Sequence, residues 1–454
     1  TIGADANLPP AWDLTFGDEQ VIVGVVDTGV LLTHPDLAAN IWVNPGEIPG
    51  NGIDDDGNGF VDDINGWDFG ESKNDPTDTV GHGTQVAGVI GAVGNNGLGI
   101  SGVAWNVSML PLKITDSFGF VTTAGIVGAH DYLTMMRNRG ANIVVSNNSY
   151  HTYDPTVYGG QTGLAAEQTA ITAWLNSGGV FVTAAGNNGT DNDTVATPPA
   201  TYDLPGIISV AATDNNDALS AISNFGASTV DLAAPGIGLI TTNLDNSFTL
   251  VFGTSFSAAM VTGAVALMKS LRPEASSEQI RQVLIESAQP TPSLQGRVVS
   301  GGRLDVAEAL RIIGLDGPVL TNVTPGPVTG QLNSQGQPLR QITLEFNKDI
   351  DGAFLSTMQV TLLGAGSDGS FGTGDDFTVP SNSITLVSPR VVRIDLNLAG
   401  FPQQRLPLGQ YRLTLTPEGF RDTDGNFLNG DTNGGIPEEY FFRVINASGG
   451  FEPN

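Results

Sequence analysis

VIVGVVD, residues 21–27, is the stretch on which the fold turns. It is apolar and β-branched, broken only by Gly24, and it stops at Asp27. A strand with one wet face alternates apolar and polar residues; a run without alternation needs cover on both faces, as in a parallel sheet. Apolar runs of similar length recur at 107–114, 142–148, 180–185 and 207–213. Between and after them lie segments that read as helices, at 83–94, 123–138, 163–177, 255–271 and 277–288. Ser276 and Gln279 stand at the spacing of a capping box for the last of these. Strands alternating with helices predict an α/β domain whose parallel sheet carries helices on both faces. Asp27 then sits at the carboxyl end of its strand, where open sheets of this kind place their ligands.

Asp27 lies in VVDTGV (25–30), and three further segments carry chemistry. They are GHGTQVAG (81–88) around His82, AAGNNG (184–189) around Asn187 and GTSFSAAMVTG (253–263) around Ser255. A serine hydroxyl attacks poorly until a base takes its proton. Imidazole is the side chain whose ordinary pKa suits that task near neutral pH. A buried carboxylate holds the imidazole in the right tautomer and stabilises its cation. The tetrahedral oxyanion needs donors placed in advance. Ser255 opens an apolar, small-residue helix whose N-terminus favours developing negative charge. The Ser255 N–H and the Asn187 amide are the expected oxyanion donors. Taken singly, these segments have commonplace readings: a turn aspartate, a glycine-flanked histidine, a helix cap. Together, in a chain with only 4 histidines, they point to acyl transfer. His34, His130 and His151 are expected to be structural or exposed.

Over residues 10–313 the chain resembles the subtilisin-like serine proteases, the subtilases, whose four motifs occur here in family order. The resemblance implies a catalytic triad of Asp27, His82 and Ser255, with Asn187 as the oxyanion residue. It implies a secreted serine endopeptidase, made with a signal and an inhibitory pro-segment. The chain opens on TIGADANLPP, which reads as a mature N-terminus after processing. An extended polypeptide substrate would pair with Gly119-Phe120-Val121 and with Ser149-Tyr150-His151, with Asn188 next to the oxyanion residue. No Asp or Glu marks the pocket floor, so an apolar or aromatic residue is expected before the scissile bond. Ala259 stands where the family usually has proline, and Gln85 where a second histidine is common. Tyr150 and His151 stand where the family stretch usually ends in glycine. The rival readings are a catalytically idle, protease-like binding or surface-adhesion protein, and a peptide ligase.

NGIDDDGNGFVDDINGWDF (51–69) is a second concentrated signal. Asp54, Asp56 and Asn58 alternate, a glycine follows, and Asp62 and Asp63 close the loop. Alternating oxygen donors before a sharp glycine turn resemble the start of a calcium loop, without the flanking helices of an EF-hand. Five aspartates within residues 54–63 repel one another unless a counter-ion is present. The expected ligands of Ca2+ are Asp54, Asp56, Asn58, Phe60 (through its carbonyl), Asp62 and Asp63. Weaker candidates are Asp368, Asp375 and Asp376, and Asp422, Asp424 and Asn426, for which plain Asx turns compete.

The 454 residues suit two domains. Residues 1–314 read as the catalytic domain, and 315–330, rich in Gly and Pro, as a linker. Residues 331–454 carry short alternating strands such as QITLEFN, VVRIDLNL and YRLTLTP, which predict a β-sandwich. LEFNKDIDGAFLSTMQVTL resembles bacterial Ig-like domains appended to secreted enzymes. There are no cysteines, which excludes a catalytic thiol, disulfides and thiolate metal sites. No apolar run approaching the roughly 18 residues of a membrane span stands out. Net charge is −29, about −7 of it from residue 316 onward, which opposes nucleic-acid binding. A monomer is expected.

Overall fold

The fold is taken from a computed structural model. It describes residues 5–151, 160–314, 320–324, 340–346, 348–355, 360–365, 374–401, 406–407, 409–415, 420 and 438–444. The chain divides into two compact units, Thr1–Ile313 and Gly314–Asn454.

The first unit is built on a nine-stranded sheet. Its strands are β1 (Gly17–Asp27), β2 (Trp67–Asp68), β3 (Asn106–Lys113), β4 (Ile143–Asn148), β5 (Val180–Ala184), β6 (Ile207–Thr213) and β7 (Leu232–Pro235). A separate hairpin follows, β8 (Ile237–Thr242) with β9 (Phe248–Phe252), and the sheet ends with β10 (Gln289–Pro290) and β11 (Gly302–Arg303). The order is β10-β11-β7-β6-β5-β4-β1-β3-β2, parallel throughout except at β10. The helices are α1 (Leu8–Trp12), α2 (His82–Gly91), α3 (Thr123–Asn138), α4 (Gly160–Asn176), α5 (Thr254–Leu271), α6 (Ser277–Glu286) and α7 (Val306–Gly314).

The run at 21–27 behaves as its composition requires. Val21, Val23 and Val25 join the core that contains α2 and α5, while Ile22 and Val26 join the core that contains α3 and α4. Burying each such side chain contributes about 1.5–3 kcal/mol. Gly24 is needed for close packing, because a Cβ there would stand 2.8 Å from Leu133 of α3. The capping box is present: the Ser276 hydroxyl accepts from Gln279 N, and Ser276 N donates to the Gln279 side chain. One expectation changes. α5 is long and apolar enough to cross a membrane by composition, yet it is the core helix of the first unit, buried from Thr254 to Lys269.

The second unit holds β12 (Leu320–Thr324), β13 (Gln341–Phe346), β14 (Val360–Gly364), β15 (Phe377–Val379), β16 (Ser381–Ser388), β17 (Val391–Leu396), β18 (Gly409–Leu415) and β19 (Glu438–Val444). They form two antiparallel four-stranded sheets, β12-β13-β17-β16 and β15-β14-β18-β19. Side chains from both sheets, including Leu344, Ile394, Leu362 and Leu413, share one core. β12 lies inside the stretch expected to be linker, where the β-branched residues of LTNVT pair with β13. Asp375 and Asp376 sit just before β15, while Asp368, Asp422, Asp424 and Asn426 lie outside the described residues.

Candidate active site

Three elements carry Asp27, His82 and Ser255. Asp27 ends β1 and is 4% exposed. His82 begins α2, which packs against both β1 and α5. Ser255 lies in the first turn of α5, 7% exposed. His82 Nδ1 is 2.8 Å from Asp27 Oδ1, which also accepts from Thr28 N. Asp27 Oδ2 is buried without a hydrogen bond, so its negative potential is left to act on the neighbouring imidazole. Burial pulls the His82 pKa down, but the charge and hydrogen bond of Asp27, with Asp78 adding, hold it above the ordinary value. That is the direction a base needs to take a proton from serine.

The His82 ring lies beside Phe256, with ring centroids 5.8 Å apart, so the imidazole faces the start of α5. The Ser255 hydroxyl donates to Ser149 O at 3.5 Å, and Ser149 Oγ donates to Ser255 O at 3.0 Å. The first contact is long and weak, and catalytic hydrogen bonds commonly tighten only when substrate is bound. Asn187 is held from one side. Its Oδ1 accepts from Thr254 N at 2.9 Å and from Thr254 Oγ1 at 3.0 Å. With the oxygen engaged, the amide NH2 remains as the donor end, next to Gly253. Gly253 has φ 138°, a conformation side-chain-bearing residues rarely adopt, and it lets the chain turn from β9 into α5. Thr254 was not singled out from sequence, although it is the middle residue of the GTS motif.

The expected substrate strands are less uniform. Gly119 and Phe120 form a tight turn whose N–H groups at Phe118 and Phe120 bond Asp116, and Phe120 is exposed. Val121 pairs with Thr115. Tyr150 is 6% exposed and packs among residues of α3 and α4. Asn188 N donates to Asn224 Oδ1. Gln85 reaches Asn243 from α2, and Ala259 is buried within α5. His34 and His130 are fully buried, in line with structural roles.

The acidic loop gathers only part of its expected set. Carboxylate oxygens of Asp54, Asp56 and Glu47 lie within 4.8 Å of one another. Glu47 was missed from sequence because it precedes the aspartate-rich stretch and enters through the fold of the loop. Asn58 donates to Asp56 and Asp63. Phe60 packs its ring on Trp67, Phe69 and Tyr132. Asp62 is turned to the N–H groups of Asn51 and Gly52, and Asp63 is fully buried, accepting from Asn44, Asn58 and Tyr132. Burial raises the Asp63 pKa; its hydrogen bonds oppose that, and Asp56 adds to it. Asp56 Oδ1 is buried without a hydrogen bond. That oxygen lies 3.6 Å from the Arg139 guanidinium, and a group of three carboxylates of this kind fits a hard, oxygen-seeking cation.

Residues 18–337 match the Subtilase family. Thermitase of Thermoactinomyces vulgaris is 32% identical over 303 residues, 67% of this chain and 92% of that protein. Subtilisin DY of Bacillus licheniformis is 34% identical over 272 residues, 59% of this chain and 84% of that protein. The crystal structure of a cold adapted subtilisin-like serine proteinase aligns at 27% identity with a TM-score of 0.50, covering 63% of this chain and 89% of that one.

Proposed function

The chain belongs to the subtilase family and is a serine endopeptidase, and from that premise we propose the residues that carry the reaction. Ser255 Oγ attacks the scissile carbonyl while His82 takes its proton. Asp27 holds the imidazole and stabilises its cation. The oxyanion is received by the Asn187 side-chain NH2 and the Ser255 N–H at the start of α5. His82 then returns the proton to the leaving amine, and water hydrolyses the acyl-enzyme by the same steps. The observation that carries this reading is the 2.8 Å contact between His82 and the buried Asp27, at the helix that packs on the Ser255 helix. A fluorophosphonate should label the wild-type protein at Ser255, and Ser255→Ala should abolish both labelling and peptide hydrolysis. Labelling that survives Ser255→Ala would refute the assignment.

Three finer statements belong to the same proposal. Calcium occupies the loop at Glu47, Asp54 and Asp56 and stiffens the connection between Asp27 and His82; the grouping of those three carboxylates within 4.8 Å of one another supports this. The enzyme cleaves extended polypeptides after apolar or aromatic residues, since Asn188, beside the oxyanion residue, is neutral. A panel of peptides varied at that position tests it, and an optimum at Lys or Arg would reverse it. The protein acts outside the cell and derives from a precursor with an inhibitory pro-segment, as the family resemblance suggests.

A further inference from the structure

We propose that Asp78 is a positioning residue of the active site, tying the acid-bearing strand and the base-bearing helix into one unit. The inference rests on the assignment of Asp27 and His82 above. α2 begins without a cap of its own: its N-cap residue is Gly81, which has no side chain to offer. A helix start leaves backbone N–H groups that need acceptors. Here they find them in residues outside the helix. Gly83 N donates to Thr28 Oγ1 at 2.8 Å, and Thr84 N donates to Asp78 Oδ2 at 2.9 Å. Asp78 is 4% exposed and accepts three more bonds at its other oxygen, from Val80 N, Gly81 N and Thr28 Oγ1, each at 2.9 Å. Thr84 Oγ1 donates to Asp78 Oδ2 at 2.7 Å and itself accepts from Leu31 N.

The knot reaches both members of the acid–base pair. Thr28 is the residue after Asp27, and its N–H donates to Asp27 Oδ1. Gly83 is the residue after His82. The approach leaves no room for error, since a Cβ at Gly83 would stand 2.1 Å from Gly29 O. The carboxylate of Asp78 therefore fixes the relative placement of Asp27 and His82 through Thr28 and the first turn of α2. It also places a second negative charge near the imidazole, in the direction that favours its protonated form. The other charged groups around α2 are otherwise engaged. Lys113 of β3 pairs with Asp68, Asp245 beyond β8 accepts from Ser247 and Asn243, and the first basic residue of α5 is Lys269.

Two variants separate placement from charge. Asp78→Asn should lower kcat by roughly tenfold or more with KM changed far less. It should also move the acidic limb of the kcat/KM profile to lower pH, because a charge that stabilises the imidazolium is gone. Thr28→Val keeps the charge and breaks the bridge, so kcat should fall while the limb stays in place. The limb is the readout that loss of a cap alone would not move. If Asp78→Asn does not fold, the kcat of Thr28→Val decides. Wild-type kcat in the folded variants, with the limb unmoved, would overturn the inference. A wild-type enzyme whose fluorophosphonate labelling shows no acidic limb would instead overturn the assignment of His82 as base.

Discussion

The proposed triad and the acidic loop hold their side chains by opposite means. Asp27, His82 and Ser255 stand at the ends of a buried strand and two packed helices, so the sheet and α5 set their positions. Asp54, Asp56 and Glu47 sit in a stretch, residues 44–66, that contains no helix or strand. There the chain is held by carboxylate-to-backbone and amide-to-carboxylate hydrogen bonds, such as Asp54 to Asn58 N and Gly59 N. A site built on rigid elements keeps its geometry unaided. A loop of converging like charges needs a counter-ion to do so.

The largest effect should come from the first region. Asn187→Ala should cut kcat about 100- to 1000-fold with little change in melting temperature, since the sheet holds the rest of the site. A comparable fall in stability would show that the amide is structural. Next, removal of calcium with EDTA, or Asp56→Asn, should lower stability by about 3 kcal/mol at a calcium concentration a hundredfold over its Kd. The same treatment should spare the triad's chemistry at temperatures well below the melt. An unchanged melting curve would remove the contrast between the two regions.

A smaller effect tests how rigid the scaffold is under the triad. His130 is fully buried, bonded to Ile126 O and close to Asn148, and burial pulls its pKa down to about 4. The folded protein binds this proton less readily than the unfolded chain does. Stability is therefore lost as pH falls from 6.5 toward 4, by about 2 kcal/mol between pH 7 and pH 5. His82, raised by Asp27 and Asp78, acts in the opposite sense, so the difference between wild type and His130→Gln is the quantity to measure. An identical pH profile for both would contradict the buried neutral state. Smallest, Ser276→Ala removes one half of the capping box of α6 and should cost about 1 kcal/mol without touching activity.

Much of the first unit was legible because its strands are buried on both faces and therefore read as unbroken apolar runs. The helix expected at 123–138 is Thr123–Asn138, and the strand expected at 207–213 is Ile207–Thr213. What escaped was short or locally ambiguous. β7 is four residues of LAAP, and the hairpin β8–β9 exposes Ile240, Leu250 and Phe252, a pattern that burial does not explain. The start of α2 was placed one residue late because its cap comes from Thr28 and Asp78, outside the helix. Of the site, the residues proposed to react were visible as motifs. The residues that hold them, Thr28, Asp78 and Thr254, were not, because a side chain's hydrogen-bond partners depend on which chain segments meet.

The sequence by itself determined the residue types of the acyl-transfer set, their order along the chain, and the parallel-sheet class. It did so because hydrophobic periodicity and chemical identity are local properties. Only the tertiary structure decided that Tyr150 turns into the core, that Glu47 rather than Asp62 or Asp63 joins the carboxylates of Asp54 and Asp56, and that Asp78 binds Thr28 across 50 residues. Those outcomes depend on which buried polar groups find partners. That is settled by the packing of distant segments against one another.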